Sequence, residues 1–207
     1  MEYIPEDSQS PYRFYLKPAS VIIHKVSKVR DLEARLERAE QQLRLFQRVS
    51  RLMTRDMSLD GVLREIVALV KDFLECDSCL VYLVEENELV LFATSDQNQN
   101  NLGRVRLRLN EGLTGWVARE RRLLAISREA YHDPRFKYFK DLPQDTFEAF
   151  LSVPIISQNK VVGVINVQHR EARIHSGGDM EMLSTLGEQI GCLLVLSKQK
   201  DPIASVR

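Results

Sequence analysis

Three cysteines, Cys76, Cys79 and Cys192, are all that a chain of 207 residues contains. The odd count argues against a disulfide framework and suits a reducing compartment. No apolar run approaches the roughly 20 residues that span a bilayer; runs such as residues 161–167 and 192–196 are far shorter. The first residues have neither a basic start nor an apolar core, so no secretory signal and no membrane contact are expected, and the cytoplasm is the expected compartment. Charge of one sign is lacking too. The 29 Lys+Arg balance 29 Asp+Glu, which removes the electrostatic reason to expect nucleic acid as a partner. His24, His132, His169 and His175 are scattered without metal-ligand spacing, and Cys76-Asp77-Ser78-Cys79 has no second pair to complete a four-ligand zinc site. With 44% apolar and 28% charged residues, what remains is a globular chain of one ordinary domain plus an appendage, or two small domains.

Residues 1–21 form a proline- and tyrosine-bearing arm without helical period. Glycine and proline are then missing from residues 22–56, where Arg, Glu, Gln and Leu dominate, and this predicts one long helix. Its length, about 50 Å at ~1.5 Å per residue, exceeds what a compact domain of this size needs. Val29, Leu32, Leu36, Ala39, Leu43, Phe46 and Met53, with Ser50 the one polar insertion, recur at alternating three- and four-residue spacing, which is a heptad seam. In a parallel pair the flanking residues meet as Lys28 with Glu33, Arg35 with Glu40 and Gln42 with Gln47, so a parallel homodimer through Val29, Leu32, Leu36, Ala39, Leu43 and Phe46 is expected. The same pattern also fits a single amphipathic helix lying on its own domain.

A second helix is predicted over residues 58–75, with Ser58 as N-cap and a broad apolar face. Strand-like runs follow at 79–85, 88–94, 104–109, 123–126, 149–156 and 161–169, and a last helix starts near Ser176 and Asp179. Short breaks at Glu86-Asn87 and Gln158-Asn159 predict tight hairpins and an antiparallel sheet, so the fold class is α+β. Residues 80–84 and 161–167 are apolar almost throughout instead of alternating, so both sheet faces must be covered. Terminal helices can cover one face. For the other there is only the segment 110–148, which holds Trp116, Tyr131, Phe136, Tyr138, Phe139 and Phe147. These rings read either as a lid over a ligand pocket or as a plain seal on the second face.

Glu111-Gly112-Leu113-Thr114-Gly115-Trp116-Val117-Ala118, then Tyr131-His132-Asp133-Pro134-Arg135-Phe136, Phe150-Leu151-Ser152-Val153-Pro154-Ile155 and Val162-Gly163-Val164-Ile165-Asn166-Val167-Gln168-His169 resemble a GAF domain in content, order and spacing. The resemblance covers about two thirds of the chain and places the domain at 57–198, with 22–56 as a coiled-coil helix and 199–207 as a tail. It implies a central antiparallel sheet with helices on one face and a ligand-sized cavity under the lid on the other. Members commonly act as sensory modules that bind small molecules or chromophores and signal through helices at a dimer interface. Gly112 and Gly115 suit a tight strand-to-helix turn that points Trp116 at the second face, and Pro154 marks a bulge or bend.

The ligand contacts this implies are Trp116, Tyr131, His132, Arg135, Phe136, Phe150 and Ser152, with a lid-to-surface ion pair as the other reading of Arg135. No catalytic residue is assigned. Asp133-Pro134 reads as a turn and Asp145 sits in a polar loop, so acid–base work by His132, Asp133 and Asp145 is not expected. GAF-like enzymes that reduce free methionine sulfoxide use cysteines near the lid, and this chain has none between Gly103 and Ser152; the same gap disfavours a lid-attached bilin. A cyclic-nucleotide signature is absent, because Asn159-Lys160 comes after the lid. Cys79 reads as a packed core thiol. The expected function is therefore a non-enzymatic sensor module with an unknown small-molecule ligand and no assigned cofactor. The other reading is an interaction or dimerisation module whose pocket has collapsed. Few residues follow Lys198, so a downstream protein partner, the long helix or the arm is expected to carry the signal.

Overall fold

The computed structural model describes residues 19–96, 99–137 and 147–200. Most of the N-terminal arm, Tyr138, Phe139, Asp145 and the tail from residue 201 lie outside them. The elements are α1 (Ala19–Met53), α2 (Leu59–Leu74), β1 (Ser78–Glu85), β2 (Glu88–Thr94), β3 (Arg106–Arg108), α3 (Gly112–Glu120), β4 (Leu124–Ile126), β5 (Ala149–Ser157), β6 (Lys160–His169) and α4 (Gly177–Lys200). The strands form one antiparallel sheet in the order β3-β2-β1-β6-β5-β4. This is the expected α+β architecture.

Local chemistry sets the ends of these elements. Ser58 caps α2 by accepting a hydrogen bond from the Gly61 N–H at 3.2 Å, and Glu75 closes it in the left-handed conformation. Both hairpins turn on two residues with positive φ, Glu86-Asn87 and Gln158-Asn159, the geometry that matches strand twist. Two strands each carry one extra residue. Val81 and Tyr82 pair with Ala93 and Leu91, leaving Phe92 as a bulge; Ile155 and Ile156 pair with Gly163 and Val161, leaving Val162 as another. Pro154 precedes that second bulge, where the β4 ladder has already ended at Ser152, so its missing N–H leaves no β4 partner unpaired.

The sheet separates two cores. On the helix side, Val81, Leu83, Leu151, Val153, Ile155, Ile165 and Val167 pack against α2 and α4. On the other side, Leu80, Tyr82, Leu89, Leu91, Phe150 and Val164 pack with Leu113 and Val117 of α3. Successive residues of β1, β5 and β6 thus enter opposite cores, which is why those strands read as continuous apolar runs. Cys76 and Cys79 are buried in the helix-side core, as expected for Cys79, and burial pushes the Cys76 thiol up to about 12 and that of Cys79 well above its ordinary value. Thiols held protonated in this way are poor nucleophiles.

Two parts of α1 behave differently. Residues up to Leu43 form a unit of their own, in which Val29, Leu32, Leu36 and Leu43 are 52%, 52%, 62% and 57% exposed and Ala39 is exposed as well. From Arg44 onward the helix belongs to the domain, and Leu45, Val49 and Leu52 are buried in the helix-side core. Phe46 and Met53, assigned from spacing to the dimer seam, are half-buried against that same core. Near the end of α1 the expected seam and the stripe that the domain buries overlap, so these two residues already have a packing surface within the chain.

Where β6 leads toward α4, His169 and His175 are buried with ring centroids 5.1 Å apart, and His169 Nε2 and both His175 nitrogens have no hydrogen-bond partner among the described residues. Burial first, then Arg173 and His175, lower the His169 pKa from 6.5 to about 4, against the opposing pull of Asp77 and Asp179. Between those values the unfolded chain binds a proton that the folded chain refuses, so stability falls as pH drops through that window. Thermal melts should show a transition several degrees lower at about pH 5 than at about pH 7, and His169→Gln should flatten that dependence. An unchanged slope in the variant would remove His169 as its source.

Candidate functional site

The candidate site is the sheet face covered by α3 and the turn after β4. Helix α3 reaches that face because two glycines allow it. Gly112 sits at φ 68°, a left-handed value, and a side chain on Gly115 would place its Cβ 2.6 Å from the Arg108 carbonyl oxygen. Glu111 fastens the start of the helix: one carboxylate oxygen accepts the Arg108 N–H at 3.0 Å and the other accepts from the Lys137 ammonium. These contacts hold its carboxyl below the usual range, the Lys137 hydrogen bond contributing most.

The sequence-predicted ligand residues divide into three groups. Trp116, Phe136 and Phe150 come together in the core on this face, Phe150 fully inside it and the other two half-buried at its edge. Arg135 lies over the Trp116 ring, its guanidinium carbon 4.5 Å from the ring centroid, and grips Asp133 through Nε–Oδ1 and NH2–Oδ2 hydrogen bonds of 2.8 and 2.6 Å. The Arg135 bonds hold the Asp133 carboxyl below its ordinary range, so this pair is a charge clamp within the turn. Tyr131 and His132 are brought together edge-on at 4.4 Å on the short helical turn Ala130–His132, with His132 mostly in solvent and its Nδ1 3.9 Å from Glu129.

Ser152 stands apart. It is fully buried, donates to Asn166 Oδ1 at 2.6 Å, and Asn166 Nδ2 in turn donates to Thr114 Oγ1 at 2.8 Å. This chain joins β5, β6 and α3 by their polar side chains. Sequence reasoning missed Thr114 and Asn166, although a lone amide inside the apolar run 161–167 was a usable signal, since a buried amide requires a partner. Tyr82 was missed as well; it lies almost fully buried on the same face, and burial raises its phenol pKa so that it stays a neutral hydroxyl.

Chemically, the face offers an aromatic wall, neutral hydrogen-bonding groups and a charge clamp at its rim. Cys76 and Cys79 lie in the opposite core and Cys192 is exposed on α4, so no cysteine of the chain serves this face. Among the described residues no group of three or more His, Cys, Asp or Glu side chains is arranged to hold a metal ion, and no helix is long and apolar enough to cross a membrane. Asn166→Ala should strand the Ser152 and Thr114 hydroxyls and cost about 2–4 kcal/mol in urea unfolding, at ~1–3 kcal/mol per buried group left unpaired. A loss below about 0.5 kcal/mol would show that the trio does not tie α3 to the sheet.

Comparison with known proteins agrees with this geometry. The family model "GAF domain" matches residues 58–194. The chain is 32% identical over 127 residues, 60% of its length, to the Escherichia coli (strain K12) protein named "Phosphoenolpyruvate-dependent phosphotransferase system", and equally to the protein of that name from Salmonella typhimurium. The match spans only 17% of those relatives' length. Among solved structures, the GAF domain of a phosphoenolpyruvate-protein phosphotransferase from Coxiella burnetii superposes with a TM-score of 0.73 at 23% identity, covering 78% of this chain and 97% of that one. The corresponding Acinetobacter domain gives 0.68 at 28% identity, covering 76% and 95%. A free methionine-R-sulfoxide reductase from Neisseria meningitidis in complex with its substrate shares the fold, with a TM-score of 0.66 at 18% identity over 79% and 93% of the two chains. By its sequence, its sheet and the placement of its α3 face, this chain belongs to the GAF domain family.

Proposed function

We propose that this chain is a non-enzymatic, cytoplasmic regulatory module that binds a small molecule on the α3 face and controls a phosphotransferase of the phosphoenolpyruvate-dependent type. The observation that carries the reading is the 32% identity to a phosphotransferase-system protein, joined to a face that carries aromatic and neutral polar groups but no thiol. A ligand entering there must part Trp116 and Phe136 from the core and compete for the Ser152–Asn166–Thr114 hydrogen bonds. It changes the module's output only through unequal affinity for two arrangements of the covering elements. Output runs through α1, paired with a second copy along Val29, Leu32, Leu36, Ala39 and Leu43, to a downstream protein or an adjoining domain. The leucines of that stripe stand in water in the single chain.

The close packing of Phe150, Leu91 and Val164 favours a second reading, a dimerisation module whose ligand face has closed. A metabolite screen by thermal shift separates the two. A ligand at about 100 times its Kd stabilises by ~2.7 kcal/mol, and Trp116→Ala should abolish that gain. Silence across a broad screen would leave the closed-face reading. For the dimer, Leu36→Lys combined with Leu43→Lys places charge in the seam and should give monomers by light scattering; an unchanged dimer would remove α1 as the interface.

A further inference from the structure

The helix side of the sheet carries a concavity away from the α3 core. Between the joint of α1 and α2 at residues 54–58 and the last turns of α4, a groove of about 760 Å3 opens over β1, β2 and β6. Small-ligand sites occupy ~300–1,000 Å3. The two bulges form part of its wall. Phe92 and Val162, the extra residues of β2 and β6, both line it, and both are only partly buried, whereas Ile66, Val67, Leu183 and Leu186 elsewhere on this side are fully buried. Met53 and Met57 line the joint side and Leu193 and Leu194 the α4 side. Thioether side chains adapt to a variable apolar occupant.

Two charged residues line the groove. Glu85 is offset by Arg106, whose guanidinium lies 3.4 Å from its carboxylate. Arg55 makes no ion pair among the described residues and is exposed. The groove therefore presents a long apolar trough with one uncompensated guanidinium. A second copy of the chain is a poorer occupant, since a two-fold contact would bring the same arginine from both sides.

We propose that the groove binds a free aliphatic carboxylate, its chain along Met53, Met57, Phe92 and Leu193 and its head accepted in the fork of Arg55. The occupant would touch both the joint that ends α1 and the end of α4, so it would act on the module from the side opposite the α3 face and does not depend on the ligand proposed there.

Isothermal titration of the full chain with dodecanoate, below its micelle concentration, tests this. Dodecanoate should saturate one site per chain, while dodecyltrimethylammonium, with the same tail and the opposite charge, and acetate, with the head alone, should not. Arg55→Glu, a surface change that circular dichroism should find folded, should weaken dodecanoate by about tenfold or more and admit the ammonium compound. Equal binding of the two amphiphiles, an unchanged affinity in Arg55→Glu, or no saturable binding would each overturn the proposal. So would a Met57→Cys chain that cross-links to its own copy and thereby excludes dodecanoate, because the occupant would then be that copy.

Discussion

Burial of β1, β5 and β6 on both faces is the constraint from which the rest of this structure follows. Neighbouring residues of one strand enter different cores: Tyr82 and Leu83, Phe150 and Leu151, Val164 and Ile165. At about 25 cal/mol for each Å2 of apolar surface, leaving either face wet would forfeit several buried side chains at once. Each side therefore needs a cover brought close to the strands, and each uses a glycine to get there. On α4, a Cβ at Gly191 would stand 2.7 Å from the Ile156 carbonyl oxygen; on α3, one at Gly115 would stand 2.6 Å from that of Arg108. Larger residues at either position would lift a helix off the backbone beneath it.

A strand shared by two cores is also a mechanical connection. Asn166 faces α3 through Thr114, while Ile165 and Val167 on either side of it face α2 and α4. Ser152 and Asn166 are direct cross-strand partners, so their hydrogen bond and the β5–β6 ladder hold the same register. The polar trio thus ties α3 to two paired strands whose alternate residues support the helix side. Buried polar groups of this kind rigidify while fully satisfied and destabilise when partly satisfied.

The elements were legible from sequence because their signals are local. Strands β2, β5 and β6 fall within a residue of their predicted bounds, since apolar runs and the Glu86-Asn87 and Gln158-Asn159 turns lie next to each other in the chain. Helix α3 was legible only through the family motif, because its nine residues include two glycines. The site was less legible. Ser152 was expected at the ligand, and its bond to Asn166, 14 residues away, is identified by strand register alone. Arg135 had its answer two residues away in Asp133, yet its place over Trp116 depends on how the turn packs on α3. His132, also expected at the ligand, stands beside Tyr131 with most of its side chain in solvent, a placement that its neighbours in the chain do not fix. In α1, spacing alone could not separate the stripe that a partner would need from the stripe of Leu45, Val49 and Leu52 that the domain uses.

The two faces share strands and meet at one side chain, Val84, which packs beside the α3-side core and also lines the groove, and this decides what kind of coupling they can have. Tyr82 faces α3 and Leu83, its neighbour, lines the groove; Val164 faces α3 and Val162 lines the groove. Influence between occupants of the two faces must therefore pass through the sheet or through Val84. Sheets are stiff where side chains on both sides are locked, and Ile165, Val153 and Leu151 are locked in this sense. They yield where a bulge interrupts the ladder, and both bulges, at Phe92 and Val162, lie on the groove side. Coupling between the faces would then require that the bulged ends of β2 and β6 have two positions, one preferred with α3 seated and one with it displaced. By thermodynamic reciprocity, whatever binds on one side would alter affinity on the other by an equal factor. A sheet without that second position would leave the faces independent, however tightly each is occupied.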